Sequence, residues 1–140
     1  MSGKEGAGRL IYGIGNDVLE IKRLSLLLDG PLGLKFMERV LTLEEREEAQ
    51  TRGGKLTEFV AGRFAAKEAI SKAFGCGIGK KLSFTDMNIL PDACGRPIVV
   101  INPEAWRRLG LPGEPEYRVH LSISHQTELA SAFAVVEKCM

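Results

Sequence analysis

The chain has 140 residues, of which 44% are hydrophobic and 26% charged, and its formal net charge at pH 7 is +1. This length suits one domain with one core, and the near-neutral balance argues against a general nucleic-acid binder. The three cysteines are scattered and form no C-x-x-C pair, which argues against structural zinc and fits a reducing cytoplasm. We therefore expect one cytoplasmic domain at residues 10–140 after a flexible, Gly-rich tail at residues 1–9.

The first predicted element is a strand at residues 10–17. Strand alternation places Leu10, Tyr12 and Ile14 on one face, and Ile11, Gly13, Gly15 and Asp17 on the other. Glycines on the face of Asp17 leave room for a ligand or for another backbone. The alternative interpretation is that residues 15–17 form only a turn with a helix cap.

Two short helical segments follow, separated by a break at residues 29–31. They present four basic residues, Lys22, Arg23, Lys35 and Arg39. The ordinary interpretation of such residues is a solvated face. Thr42 and Glu45 then have the spacing of a capping box, which predicts the start of a third helix that closes at residues 53–54.

The longest predicted helix begins near Thr57, which is expected to cap it, and ends before Gly75, which suits a left-handed position. Helical spacing predicts one apolar face of mostly small residues that can lie close to a sheet. This face contains Phe59, Gly62, Ala65, Ala66, Ala69, Ile70 and Ala73.

Charged residues border this face on both sides. Glu68 and Lys72 lie on one border and Arg63 and Lys67 on the other. The simplest interpretation is a surface ion pair between Glu68 and Lys72. A site for a metal and a phosphate is the alternative, because the glycine turn at residues 75–79 can present backbone N–H groups, the three cations can add positive charge, and Asp17 supplies a second carboxylate.

The second half of the chain changes to a period of two. It predicts strands at residues 85–89, 98–101, 117–123 and 129–136, and a short helix that Asn102 caps and Gly110 ends. Strands and helices in this order predict the α+β class, with a long central helix packed on a small antiparallel sheet.

Other reaction classes have weaker support. The chain contains no G-x-x-x-x-G-K-[ST] motif, and Gly13 and Gly15 lack the third glycine of a dinucleotide fingerprint. Ser124 and His125 are neighbours that face opposite ways on a strand, and His120 is expected to face solvent beside Ser122 without a carboxylate to orient it. His125, at a tight turn, could meet a phosphate.

Three motifs resemble the small, bacterial-type 4′-phosphopantetheinyl transferases, the holo-acyl-carrier-protein synthases. They are the run from Ile14 to Asp17 followed by Ile21 and Arg23, the run from Phe64 through Lys72 to Gly75, and the run from Ser122 to His125. The resemblance extends over about residues 10–137. The chain departs from it in its first nine residues, in the apolar segment 26–34 and in an extended segment 104–116.

The resemblance implies the corresponding fold and the transfer of 4′-phosphopantetheine from coenzyme A to a serine of an apo-acyl carrier protein in fatty-acid biosynthesis. It implies that Asp17 and Glu68 bind Mg²⁺, that the metal holds the pyrophosphate of coenzyme A, and that Lys72 reaches the same phosphates. Glu68 and Asp17 are also the candidate general bases. The turn Gly75, Cys76 and Gly77 would cradle those phosphates, and Arg63 and His125 are the candidates for the 3′-phosphate.

It also implies a homotrimer with its sites at the subunit boundaries and a carrier partner docked on Lys22, Arg23, Lys35 and Arg39. Two alternatives stay open from the residues alone. One is a non-catalytic module that binds a nucleotide or coenzyme A, and the other is a metal-dependent phosphodiesterase that hydrolyses coenzyme A.

Overall fold

The structure is a computed structural model that describes residues 8–139. In chain order its elements are β1 (Arg9–Glu20), α1 (Ile21–Asp29), α2 (Gly33–Val40), α3 (Leu43–Gln50), α4 (Leu56–Ala73), β2 (Met87–Pro91), β3 (Pro97–Ile101), α5 (Pro103–Leu109), β4 (Tyr117–His125) and β5 (Leu129–Cys139). Short 3₁₀ turns at Gly53–Lys55 and Phe84–Asp86 precede α4 and β2. The α+β class is confirmed.

The strands form two separate sheets. One is antiparallel with the order β1-β5-β4, and the other is the hairpin of β2 and β3. Helix α4 packs against all three strands of the larger sheet, which confirms the predicted long helix on a small antiparallel sheet. Residues 1–7 of the expected tail lie outside the described residues. Arg9, which was expected to belong to the tail, is part of β1 and pairs with Cys139.

Two glycines let α4 approach β1 very closely. A Cβ atom built on Gly13 would lie 1.9 Å from the carbonyl oxygen of Ala73, and one built on Gly15 would lie 2.0 Å from that of Ala69. The room predicted beside these glycines is therefore filled by the backbone of α4. The small residues of the α4 face are buried, as the helical spacing predicts.

The alternation predicted for β1 is wrong at its start. The pairing with β5 shifts between Ile11 and Gly13, which leaves Tyr12 as an extra residue. Tyr12 packs edge-on against the buried Tyr117, with ring centroids 5.5 Å apart, and so does not share the face of Ile14. A bulge reverses the alternation on one side of it, which places Ile11 on the opposite face from Gly13.

The helix ends follow the predicted caps with one exception. Thr42 and Glu45 form the capping box of α3, and Asn102 caps α5, which Gly110 ends with a left-handed backbone. The cap predicted at Thr57 is wrong, because α4 begins at Leu56 directly after a 3₁₀ turn and has no side-chain cap. Gly75 has the predicted positive φ, at 79°.

The buried apolar residues form two clusters on either side of the middle of α4. One joins the C-terminal half of α4 to the hairpin, α5 and the larger sheet, and the other joins its N-terminal half to α1, α2 and α3. Among residues 8–139, no helix combines the length and the apolar character needed to cross a bilayer.

Candidate active site

Helix α4 contacts β4 near its start and β1 near its end, and polar side chains lie at both places. Near its start, a Cβ atom on Gly62 would lie 3.1 Å from Cγ2 of Ile123 in β4, whereas near its end Ala69 lies against Gly15 in β1. Arg63 thus stands near the end of β4, and Glu68 stands near Asp17 of β1. Five residues of helix separate the two groups by about 7.5 Å along the axis.

Asp17, Glu68 and Lys72 form the first group, on β1 and the C-terminal half of α4. Nζ of Lys72 donates to Oδ1 of Asp17 at 3.1 Å and to the carbonyl oxygen of Asn16 at 3.0 Å. The surface ion pair between Glu68 and Lys72, the simpler interpretation from the sequence, is therefore replaced by a pair between Lys72 and Asp17. The alternation in β1 brings Asp17 to the helix side of the sheet, as predicted.

The electrostatics of Glu68 reflect this grouping. Partial burial raises the pKa of its carboxyl group, and the negative charge of Asp17 raises it further, while Lys72 acts in the opposite direction. Two carboxylates that disfavour each other's charge are stabilised when a cation lies between them.

The donor set fits a magnesium ion better than a softer metal. Within residues 8–139, no group of three or more His, Cys, Asp or Glu side chains could hold a metal ion. A cation bound at this place would have the carboxylates of Asp17 and Glu68 as its protein ligands. Mg²⁺ usually binds through one or two carboxylates and takes its remaining ligands from water and substrate phosphates. Asp17 and Glu68 meet this requirement.

The turn after α4 does not offer the amide cradle that the glycines suggested. The N–H of Gly75 donates to the carbonyl oxygen of Lys72, and those of Cys76 and Gly77 both donate to that of Ser71. These three amides satisfy carbonyls at the end of the helix, as in other glycine-terminated helices. The turn instead lines an open depression together with Lys80 and Lys81.

The second group lines a cavity of about 290 Å³ between the start of α4, the turn that joins β2 to β3, and the end of β4. Its charged and polar lining comes from Arg52, Lys55, Glu58, Arg63 and His125. Arg63 and His125, which the sequence analysis assigned to one phosphate, are therefore close together. Nδ1 of His125 lies 3.6 Å from Oε2 of Glu58, so the histidine has a carboxylate neighbour in this cavity.

Arg63 is largely buried and is held from two sides. Its Nε donates to the carbonyl oxygen of Ile89 at 3.0 Å, and its guanidinium lies 4.4 Å from the centroid of the Phe59 ring. Burial lowers its pKa to about 10, a change that Glu45 opposes. The group stays charged at neutral pH.

Lys67 was expected to add positive charge near the phosphate, and this expectation is wrong. Its side chain is fully buried, and Nζ donates to Oε1 of Glu45 at 2.5 Å and to the carbonyl oxygen of Val40 at 2.7 Å. Lys67 therefore faces α3, on the side of α4 away from Asp17.

His120 lies on the exposed face of β4, as predicted, but it does have a carboxylate partner. Its Nε2 lies 2.9 Å from Oε1 of Glu137 on the neighbouring strand. Glu137 is 17 residues away in sequence and comes close only through the β4–β5 pairing, so no local pattern indicates this partner.

Sequence reasoning missed two cations of the second group. Arg52 lies just after α3, where its guanidinium pairs with Glu48 and stacks on Phe59, and Lys55 lies in the 3₁₀ turn before α4. The glycines at 53 and 54 indicate the end of a helix. The basic residues on either side of them, Arg52 and Lys55, were the available signal.

Comparison with known proteins gives consistent matches over most of the chain. A sequence model of the 4′-phosphopantetheinyl transferase superfamily matches residues 13–133. A holo-[acyl-carrier-protein] synthase of Bacillus cereus is 50% identical over 129 residues, which are 91% of this chain and 97% of the relative.

Solved structures agree with the sequence matches. A holo-(acyl-carrier-protein) synthase of Bacillus anthracis, in complex with CoA (3′,5′-ADP), superposes with a TM-score of 0.76 at 48% identity and covers 91% of this chain and 97% of its own. The holo-[acyl-carrier-protein] synthase of Neisseria meningitidis gives a TM-score of 0.80 at 39% identity, covering 92% of this chain and 100% of its own.

Proposed function

This chain belongs to the 4′-phosphopantetheinyl transferase superfamily, among the holo-[acyl-carrier-protein] synthases, and on that premise we propose the details of its reaction. The chain transfers the 4′-phosphopantetheine arm of coenzyme A to a serine of an apo-acyl carrier protein. The reaction requires Mg²⁺, releases adenosine 3′,5′-bisphosphate, and serves fatty-acid biosynthesis in the cytoplasm.

One observation carries this proposal, namely that Asp17, Glu68 and Lys72 meet where α4 crosses β1. Asp17 and Glu68 are the groups that would hold Mg²⁺, which when bound would neutralise charge on the pyrophosphate of coenzyme A. Lys72 already lies beside Asp17 and can turn its ammonium group to the same phosphates.

Glu68 is the first candidate for the general base, and Asp17 is the second. The serine oxygen of the carrier bonds to the phosphorus that bears the pantetheine arm, the bond from that phosphorus to the adenosine bisphosphate breaks, and the serine proton moves to the carboxylate. In the protein without metal, burial and Asp17 raise the pKa of Glu68, which is the direction that favours proton uptake by its carboxylate.

Arg63 and His125 bind the 3′-phosphate of coenzyme A in the cavity at the other end of the α4 crossing, and Arg52 and Lys55 add positive charge there. The support is the number of cations that face one small space. Gly75, Cys76 and Gly77 form a wall of the phosphate site rather than a cradle, with Lys80 and Lys81 as the cations beside them.

The active unit is a homotrimer whose sites lie at the subunit boundaries. The sheet face opposite α4 supports this, because its apolar side chains are between 48% and 69% exposed, which is unusual for a monomer. These side chains are Ile11, Ile14, Val18 and Phe133. Within one chain Asp17 lies beside Lys72 and His125 lies beside Glu58, at different ends of α4. We infer that one coenzyme A reaches both groups across a boundary.

The carrier docks on the exposed basic residues of α1 and α2, which are Lys22, Arg23, Lys35 and Arg39. Carrier proteins are acidic, so the charges are complementary. Exposed leucines lie among these cations and could contact the apolar part of a carrier helix. They are Leu26, Leu32 and Leu34.

The released nucleotide tests the reaction type. The protein is incubated with coenzyme A and Mg²⁺, with and without an apo-acyl carrier protein, and adenosine 3′,5′-bisphosphate is measured by chromatography. We expect its release only when the carrier is present. Equal release without the carrier would identify a phosphodiesterase, and binding without any release would identify a non-catalytic module; neither alternative has support from the comparisons.

A further inference from the structure

Glu45 and Lys67 form an ion pair from which solvent is excluded. Both side chains are 0% exposed, and they join α3 to the middle of α4. A buried ion pair is often no more stabilising than apolar residues of the same volume, because both charges must be removed from water. Fold stability alone is therefore a weak reason for a pair at this position.

The carboxylate of Glu45 makes more contacts than the ion pair. Its Oε1 also accepts the N–H of Thr42 at 2.8 Å, and its Oε2 accepts the N–H of Ile89 in β2 at 2.6 Å. Nζ of Lys67 donates to this carboxylate, and it is itself fixed by the carbonyl oxygen of Val40. The pair thus controls the orientation of one peptide group of β2.

The peptide chain at Ile89 connects this pair to the second group of the site. The N–H of Ile89 is held by Glu45, and its carbonyl oxygen accepts Nε of Arg63. That contact uses Nε and leaves the two terminal amino groups of the guanidinium for another acceptor. Glu45 and Arg63 are therefore hydrogen-bonded to the two sides of one residue, Ile89, whose backbone links the buried ion pair to the cavity.

We propose that Glu45, paired with Lys67, is a positioning residue that acts through Ile89 to hold Arg63 ready for the 3′-phosphate of coenzyme A. This inference rests on the proposed function, which assigns that phosphate to Arg63. A guanidinium that is fixed before binding loses less side-chain entropy when it binds the phosphate. The positioning by Glu45 should therefore raise the affinity for coenzyme A.

The test compares coenzyme A with dephospho-coenzyme A, which lacks the 3′-phosphate, by titration calorimetry. The E45L/K67M variant removes both charges and the acceptor for Ile89. The matched E45Q/K67M variant removes both charges but keeps an amide oxygen that can accept the Ile89 N–H. Val136→Ala, in the other core cluster, controls for lost stability.

We expect E45L/K67M to bind coenzyme A about 10-fold more weakly while its affinity for dephospho-coenzyme A stays unchanged, because one charged contact is weakened. E45Q/K67M and Val136→Ala should keep the preference for coenzyme A. In an Arg63→Met background, adding E45L/K67M should have no further effect.

Other results overturn the inference. An unchanged preference in E45L/K67M shows that Arg63 is positioned without Glu45, and an equal loss for both ligands shows a structural role only. If E45L/K67M does not fold, E45M/K67L replaces it, and failure of both to fold assigns the pair to stability alone. A wild-type protein without any preference refutes the 3′-phosphate assignment itself, and this inference with it.

Discussion

Nζ of Lys72 lies 3.1 Å from Oδ1 of Asp17, so in the protein alone a lysine neutralises a carboxylate that the proposed function gives to a metal. The lysine side chain is half exposed, at 51%, and can therefore move aside. On the proposed function, Lys72 and Mg²⁺ would compete for Asp17, and a lysine displaced by the metal would be free to contact the phosphates of coenzyme A.

This competition predicts opposite effects of Lys72→Ala on two measurements. In the absence of coenzyme A, Mg²⁺ should bind about twofold to fivefold more tightly, since an exposed ion pair no longer competes. Transfer should fall by roughly 100-fold, since a cation on the phosphates is lost. Calorimetry measures the first and steady-state kinetics the second.

Lys55→Ala serves as the control for metal binding, because Lys55 lines the cavity of Arg63 and His125 and not the group around Asp17. It should leave the Mg²⁺ affinity unchanged. Weaker Mg²⁺ binding in Lys72→Ala would mean that the lysine supports the metal site and does not compete with it.

The contact between β1 and α4 predicts that neither glycine tolerates a side chain. Gly13→Ala and Gly15→Ala each place a methyl group within 2.0 Å of a helix carbonyl oxygen, so we expect a loss of roughly 3 kcal/mol or failure to fold. Thermal unfolding measures this. Gly54→Ala is the matched control, because its Cβ would have no neighbour within 4 Å, and a loss as large there would show that the contact is not the cause.

The secondary structure could be predicted where the signals are local. The caps at Thr42 and Asn102 and the left-handed Gly75 and Gly110 depend on residues within a few positions of each other, and the structure confirms them. Thr57 failed as a cap because a 3₁₀ turn leads directly into α4, and no residue in that turn distinguishes the two types of helix.

The site could be predicted only in part. The meeting of Asp17 with Lys72 joins residues 55 positions apart, and the resemblance rather than any periodicity indicated it. The burial of Lys67 was missed because its partner, Glu45, is 22 residues away and already had an explanation as part of a capping box. Long-range pairs of this kind leave no trace in local spacing.

Charge reversal on the first two helices should weaken the binding of the carrier but not that of coenzyme A. Arg23→Glu and Arg39→Glu should each raise the KM for the carrier by about 10-fold at low salt and leave that for coenzyme A unchanged, because acidic and basic surfaces no longer match. The effect should shrink at high salt, which screens exposed charges.

Arg107→Glu on α5 is the control, since Arg107 is exposed and lies outside the proposed carrier surface. It should leave the KM of the carrier unchanged. Equal increases in KM for carrier and coenzyme A in the α1 and α2 variants would indicate disturbed folding and refute the docking surface.

A trimer with shared sites predicts complementation between two inactive variants. Asp17→Ala and His125→Ala should each be nearly inactive, but after unfolding and refolding together they should regain activity, because some boundaries then join two intact halves. Variants refolded separately and then mixed are the control. Activity no higher than this control would assign each site to a single chain, and a monomer by light scattering would remove the premise.

The intact mass of the carrier tests the central claim most directly, namely that Asp17 and Glu68 together support phosphopantetheine transfer. An apo-acyl carrier protein is incubated with coenzyme A, Mg²⁺ and either the wild type, Asp17→Asn or Glu68→Gln, each shown by circular dichroism to be folded. We predict that the wild type adds the mass of one phosphopantetheine, that chelator abolishes the gain, that restored Mg²⁺ returns it, and that each variant loses at least about 100-fold in rate. An unmodified carrier with the folded wild type, or near-normal rates in both variants, would contradict the account.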